Sequence, residues 1–288
     1  MRRCIASLLL FLAAFPCVSA PDAAAQRALI DATIAAFTAD PAGSADTGRM
    51  YFLGFAGFGE ERVFAEEIKL AADRVGARFG ATRQLLLLND QRDLVSFPLA
   101  THDNLRYALG ALGRVMDPRH DILFLALSSH GARNAMLEVS NTDMPPTGLS
   151  AARLAEMLNA SGIRLKVIVI SACFSGAFIA PLADNESIVI TAAAKNRSSF
   201  GCSDDRYLTY FGEAFYRDAL PTAVSLRAAF EAARAEIRRR EKEERVTPSQ
   251  PQAHFGPIME TRLEEAVPGA EFPARHHDHH GSSVAPIR

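Results

Sequence analysis

Apolar positions fall into two alternating patterns along this chain. Short runs that are apolar almost throughout, at residues 49–55, 83–88, 121–128, 166–172 and 187–193, have the length and β-branched content of strands. Between them lie segments whose apolar residues recur at helical spacing, at 60–79, 102–116, 151–160, 207–220 and 226 to about 245. An Ala-rich amphipathic helix over 23–38 and a loop rich in Pro, Gly, Ser and Asp over 40–48 precede the first strand. Ser150 reads as the cap of the helix that follows it, and Gly162 as its end. Strands joined by helices of this length need crossover connections, which predicts a mainly parallel sheet covered on both faces, an α/β fold. The run 122–127 does not alternate with polar residues, as expected of a strand buried on both sides. No internal repeat and no domain-scale linker appears, so the reading is one domain over 49–262, preceded by a helix-and-loop segment over 21–48.

The ends read differently. Arg2 and Arg3, an apolar stretch from Ile5 to Phe15 and the small residues Val18, Ser19 and Ala20 form the pattern of an export signal over 1–20. That apolar stretch is about half of the ~20 residues needed to cross a bilayer. The mature chain is therefore expected outside the cytoplasm, periplasmic or secreted, with no membrane insertion after the signal is removed. Residues 263–288 carry His276, His277, His279 and His280 among Gly, Ser and Pro, and read as a disordered tail.

The 288 residues are 49% hydrophobic and carry a net charge of −2 with both signs balanced. That balance excludes a basic nucleic-acid surface. The mixed charges at 234–245 read as a solvated helix face. The absence of Trp argues against an aromatic stacking platform. Two cysteines remain beyond the signal, Cys173 and Cys202, and in an oxidising compartment one disulfide between them is an alternative to a free thiol.

The chemistry concentrates where two apolar runs stop. The run 121–128 delivers His130 and Gly131; the run 166–172 delivers Cys173, Phe174, Ser175 and Gly176. In parallel sheets, sites form at the carboxyl ends of strands. Neighbouring strands would put an imidazole beside a thiol, the pair that a cysteine nucleophile requires. Gly131 has no side chain to obstruct its backbone N–H, which with that of Cys173 would form an oxyanion hole. The alternative is a buried histidine and a small core thiol.

These motifs resemble the caspase-like cysteine peptidases and, more closely, the legumain family, peptidase family C13, especially its bacterial members. The segments 191–194, 198–202 and 207–213 resemble those that follow the legumain nucleophile. The resemblance implies a caspase-like three-layer α/β sandwich of about six strands and a peptide or protein substrate, without cofactor or metal. It implies His130 and Cys173 as the catalytic pair, Ser198 and Ser199 as lining of the S1 pocket, and Glu213 as an acidic pocket residue. Ser171 stands where legumain has a glutamate and Ala56 where it has an asparagine that orients the histidine. The first departure argues against asparaginyl specificity. The second leaves a dyad, or an orienting group taken from Glu60, Glu61 or a backbone carbonyl. The expected activity is peptide-bond hydrolysis through a Cys173 thioester. Alternatives are a transamidase using the same thioester, a binding module that has lost catalysis and, ranked last for want of Cys-x-x-Cys spacing and of a third or fourth ligand, a redox or metal thiol protein using Cys173, Cys202 and His130.

Overall fold

The computed structural model describes residues 22–39, 48–93, 96–203 and 206–265. The segment read as an export signal, most of the 40–48 segment, Asp204 and Asp205, and the histidine-rich segment read as a tail lie outside the described residues. In chain order the elements are α1 (Ala23–Ala39), β1 (Met50–Ala56), α2 (Arg62–Phe79), β2 (Arg83–Leu88), α3 (His102–Val115) and β3 (Ile122–Ser128). A small hairpin sheet follows, β4 (Gly131–Ala132), β5 (Met136–Asn141) and β6 (Met144–Ser150). Then come α4 (Ala151–Ser161), β7 (Leu165–Ser171), α5 (Ile179–Leu182), β8 (Ser187–Thr191) and α6 (Tyr210–Gly212). The helix α6 runs on as a π-helical stretch over Glu213–Ala219, before α7 (Leu226–Glu243), β9 (Gln252–Phe255) and α8 (Pro257–Glu265).

The main sheet has six strands in the order β2-β1-β3-β7-β8-β9. The first five are parallel and β9 is antiparallel to β8. Successive side chains on a strand point to opposite faces, and each central strand feeds two cores. Phe52, Phe124, Val167 and Ile188 pack on one face with apolar residues of α2, α7 and α8. Leu53, Leu125, Ile168 and Val189 pack on the other with α1, α3 and α4. Every residue of β1, β3 and β7 is buried, which is why those runs carry no polar alternation. Among the described residues no helix is long and apolar enough to cross a membrane.

The helix boundaries follow their caps. The hydroxyl of Thr101 accepts from Asn104 N, that of Ser150 from Arg153 N, and that of Ser225 from Ala228 N. The helix read over 207–220 begins later, at Tyr210, because the Thr209 hydroxyl accepts from Gly212 N at 2.9 Å and fixes the first turn there.

One buried acid joins the strand ends to this cap. Glu67 of α2 is fully enclosed and accepts hydrogen bonds from the hydroxyls of Ser128, at the end of β3, and Thr209. The Ser171 hydroxyl, at the end of β7, lies 3.2 Å from that of Thr209. Burial pushes the Glu67 carboxyl above its usual 4.5, against the opposing pull of these hydroxyls. With its folded pKa raised above the unfolded one, its contribution favours folding at low pH and is lost as pH rises through the raised value. Glu67→Gln, neutral at all pH, is expected to gain stability relative to the parent chain as pH is raised from about 4.5 toward neutrality. Urea unfolding of both chains across that range is the check, and parallel stability curves would refute it.

Candidate active site

His130 and Cys173 leave the sheet at the same level. Ser128 and Ser171 are partners in the β3–β7 register, and Ser129 N donates to Ser171 O at 3.2 Å, extending the pairing one step further. Beyond it the two loops touch. A Cβ on Gly131 would stand 1.9 Å from the Cys173 carbonyl oxygen and 3.1 Å from the Cys173 nitrogen. Only a residue without a side chain permits that approach, and it puts the two peptides of the expected oxyanion hole side by side.

Each loop is held from outside. On the histidine side Glu138 N donates to His130 O at 2.9 Å, and Ser129 Oγ donates to Glu138 O at 2.6 Å. On the cysteine side Phe174 takes φ +57°, a left-handed conformation that turns the chain sharply just after the thiol. Phe174 N donates to Arg197 O at 2.7 Å and Gly176 N to Ala193 O at 2.8 Å. The Arg133 guanidinium lies 5.0 Å from the centre of the Phe174 ring and ties the hairpin to the cysteine loop.

The His130 imidazole is clamped edge-on by two phenyl rings, Phe58 with centroids 4.6 Å apart and Phe64 at 4.9 Å. Its Nε2 stands 3.2 Å from Oε2 of Glu61. Among the three orienting groups left open by the sequence, the structure puts Glu61 in contact. The contact is one of charge and distance and not of direction: that oxygen is buried and accepts no aligned hydrogen bond. Glu61 is also the N-cap residue of α2, yet its carboxylate makes no cap bond, which leaves the side chain to face the ring. Ala56, at the end of β1, is fully buried.

The Cys173 sulfur accepts from Ser199 N at 3.3 Å and lies 3.7 Å from Ser199 Oγ. Both cysteines are free thiols. The second, Cys202, brings its Sγ to the same histidine: that sulfur, a ring nitrogen of His130 and a carboxylate oxygen of Glu61 all lie within 4.8 Å of one another. Burial pushes the Cys202 thiol above its usual pKa, and negative charge at Cys173 and Glu61 adds to the rise. The sequence had offered Cys202 as a disulfide partner, a loop residue or, ranked last, one thiol of a redox or metal site with Cys173 and His130.

The pocket candidates are placed unevenly. Ser199 is at the sulfur and Ser198 is exposed nearby in sequence. Ser171 is only 3% exposed, with its hydroxyl on Thr209. The Glu213 carboxylate is held by Arg206, Arg217 and Arg240, so its charge is spent within the protein.

Residues 102–261 match the model of the Peptidase C13 family. No curated protein matches the chain. Among solved structures, that of caspase-1 from Spodoptera frugiperda is similar with a TM-score of 0.49 at 12% identity, over 73% of this chain and 87% of that one. The family match spans more than half of the chain and contains the His130 and Cys173 loops, so the chain belongs to the Peptidase C13 family.

Proposed function

We propose that this chain is an exported cysteine endopeptidase. The observation that carries the reading is the junction of the two strand-end loops, where Gly131 lies against the Cys173 peptide beside a histidine fixed by two rings and a carboxylate. In this reaction His130 takes the thiol proton as the Cys173 sulfur attacks the peptide carbonyl carbon. The developing oxyanion is met by the backbone N–H groups of Gly131 and Cys173. Collapse expels the amine, which leaves with the proton from His130, and a thioester remains. Water, deprotonated by His130, then releases the acid and returns the thiol. While the sulfur is anionic it has Ser199 N–H as a donor. Ser198 and Ser199 form the wall of the P1 pocket. With Nε2 turned to Glu61, Nδ1 is the nitrogen left to exchange the proton.

The test is a positional-scanning peptide library incubated with the parent chain and with Cys173→Ala. Cleavage by the first alone supports the reading; cleavage by neither removes it and favours a binding module. Products carrying an added amine in place of water would reassign the thioester to transamidation. Export is checked at the N-terminus of the protein recovered outside the cytoplasm, which is expected to begin shortly after Ala20.

Glu61 serves as a positioning residue, since it touches the ring and not the substrate. Glu61→Gln keeps an acceptor of the same shape but loses the charge that favours the imidazolium formed during attack. It is expected to lower kcat by about 100-fold with KM nearly unchanged, the low end of what a positioned acid–base group contributes. A rise in KM with unaltered kcat would contradict that role.

A further inference from the structure

Cys202 takes no part in the reaction above, yet its sulfur shares a histidine with it. Thiolate, imidazole and carboxylate are the donor types that hold Zn2+, at about 2.0–2.3 Å in tetrahedral geometry. Two donors on such an ion stand roughly 3.3–3.8 Å apart. The Glu61 to His130 edge is already 3.2 Å, and the whole triad lies within 4.8 Å. Closing on an ion therefore takes a contraction of about 1.5 Å at most along any edge. The buried Glu61 oxygen, which has no aligned hydrogen-bond donor, supplies a second and independent sign: an acceptor faces this spot with nothing directed at it. A buried acceptor in that state is costly unless something satisfies it.

We propose that Glu61, His130 and Cys202 form a site for a thiophilic divalent cation, Zn2+ above all, whose occupation switches the enzyme off. On binding, Cys202 gives its thiol proton to solvent and its sulfur bonds the metal, while a His130 lone pair and a Glu61 oxygen complete three positions and the fourth stays open. Nothing is oxidised or reduced. A histidine holding a metal is no longer available as the base for Cys173. The inhibition rests on the peptidase reading; the binding does not.

The full chain is used with His276, His277, His279 and His280 changed to Ala, which removes the tail as a competing ligand. Freed of metal and titrated with Co2+, it is expected to show the near-ultraviolet charge-transfer absorption of a thiolate–cobalt bond, and Zn2+ is expected to displace it. The absorption should persist in Cys173→Ala and vanish in Cys202→Ser. Zinc affinity, read by competition with a chromophoric chelator, should fall at least about tenfold in Cys202→Ser and in Glu61→Gln, since even loss of outer partners costs that much. Glu61→Gln keeps the test open should Cys202→Ser fold poorly. Zinc should also slow carboxymethylation of Cys173 in the parent chain but not in Cys202→Ser, whose metal-free peptidase activity stays at the parent level. An absorption that survives Cys202→Ser, one lost only in Cys173→Ala, or equal zinc affinity in all chains would overturn the site. A chain that binds metal as described and cleaves no peptide would instead overturn the peptidase reading and leave the site standing.

Discussion

Cys173→Ala is expected to lower kcat/KM for a cleavable peptide by at least about 10^4-fold, with the protein still folded. The sulfur is half-exposed at the tip of a loop, so its removal opens no large cavity in either core. His130→Ala is expected to cost a comparable factor, and the double variant little more than either single one. That non-additivity is the signature of two groups acting as a unit: without the base the thiol is a poor nucleophile, and without the thiol the base has no proton to take. Residual activity would come from the oxyanion hole and from binding alone. Kinetics of the three variants on one fluorogenic peptide are the check. Losses that multiply would mean that His130 and Cys173 act independently, which the shared junction at Gly131 does not accommodate.

Much of this architecture was readable because burial on both faces of β1, β3 and β7 leaves uninterrupted apolar runs. The meeting of the His130 and Cys173 loops was readable for the same reason, since each run stops at a Gly-containing loop. The elements that escaped notice have the opposite character. The strand β9 is four residues long, none of them buried, at the edge of the sheet, and it has no apolar run to announce it. In the hairpin β4–β6 the exposed strand β6 contains two prolines, which a pattern search takes for loop. Glu61 was one of three possible orienting groups because nothing in a sequence separates it from Glu60; the turn of α2 aims one of them at the ring. Cys202 was grouped with His130 only in the reading ranked last, for a similar reason. It reaches the site from a loop of Gly, Ser and Asp residues that has no period, and only the packed structure brings that sulfur to the imidazole. Glu213 shows the reverse case: the sequence leaves its carboxylate free, but three arginines from separate turns surround it.

Gly131→Ala tests the junction itself. The added methyl would stand 1.9 Å from the Cys173 carbonyl oxygen and 2.8 Å from its carbon, far inside van der Waals contact. Both atoms are backbone, so no side chain can swing aside, and either the histidine loop or the cysteine loop must move by about 1 Å or more. A shift of that size between reacting groups is expected to cost about 100-fold or more in kcat/KM, together with roughly 1–3 kcal/mol of stability from overpacking. Gly148→Ala, on the same hairpin sheet, is the control. Its methyl would come nearest, at 2.6 Å, to the terminal Cε of Met136, the free end of a flexible side chain that can rotate away. That variant is expected to keep activity close to the parent. Equal activity in the two variants would mean that the loops at Gly131 separate without consequence, and the case for a thiol and an imidazole held in register by that contact would fail.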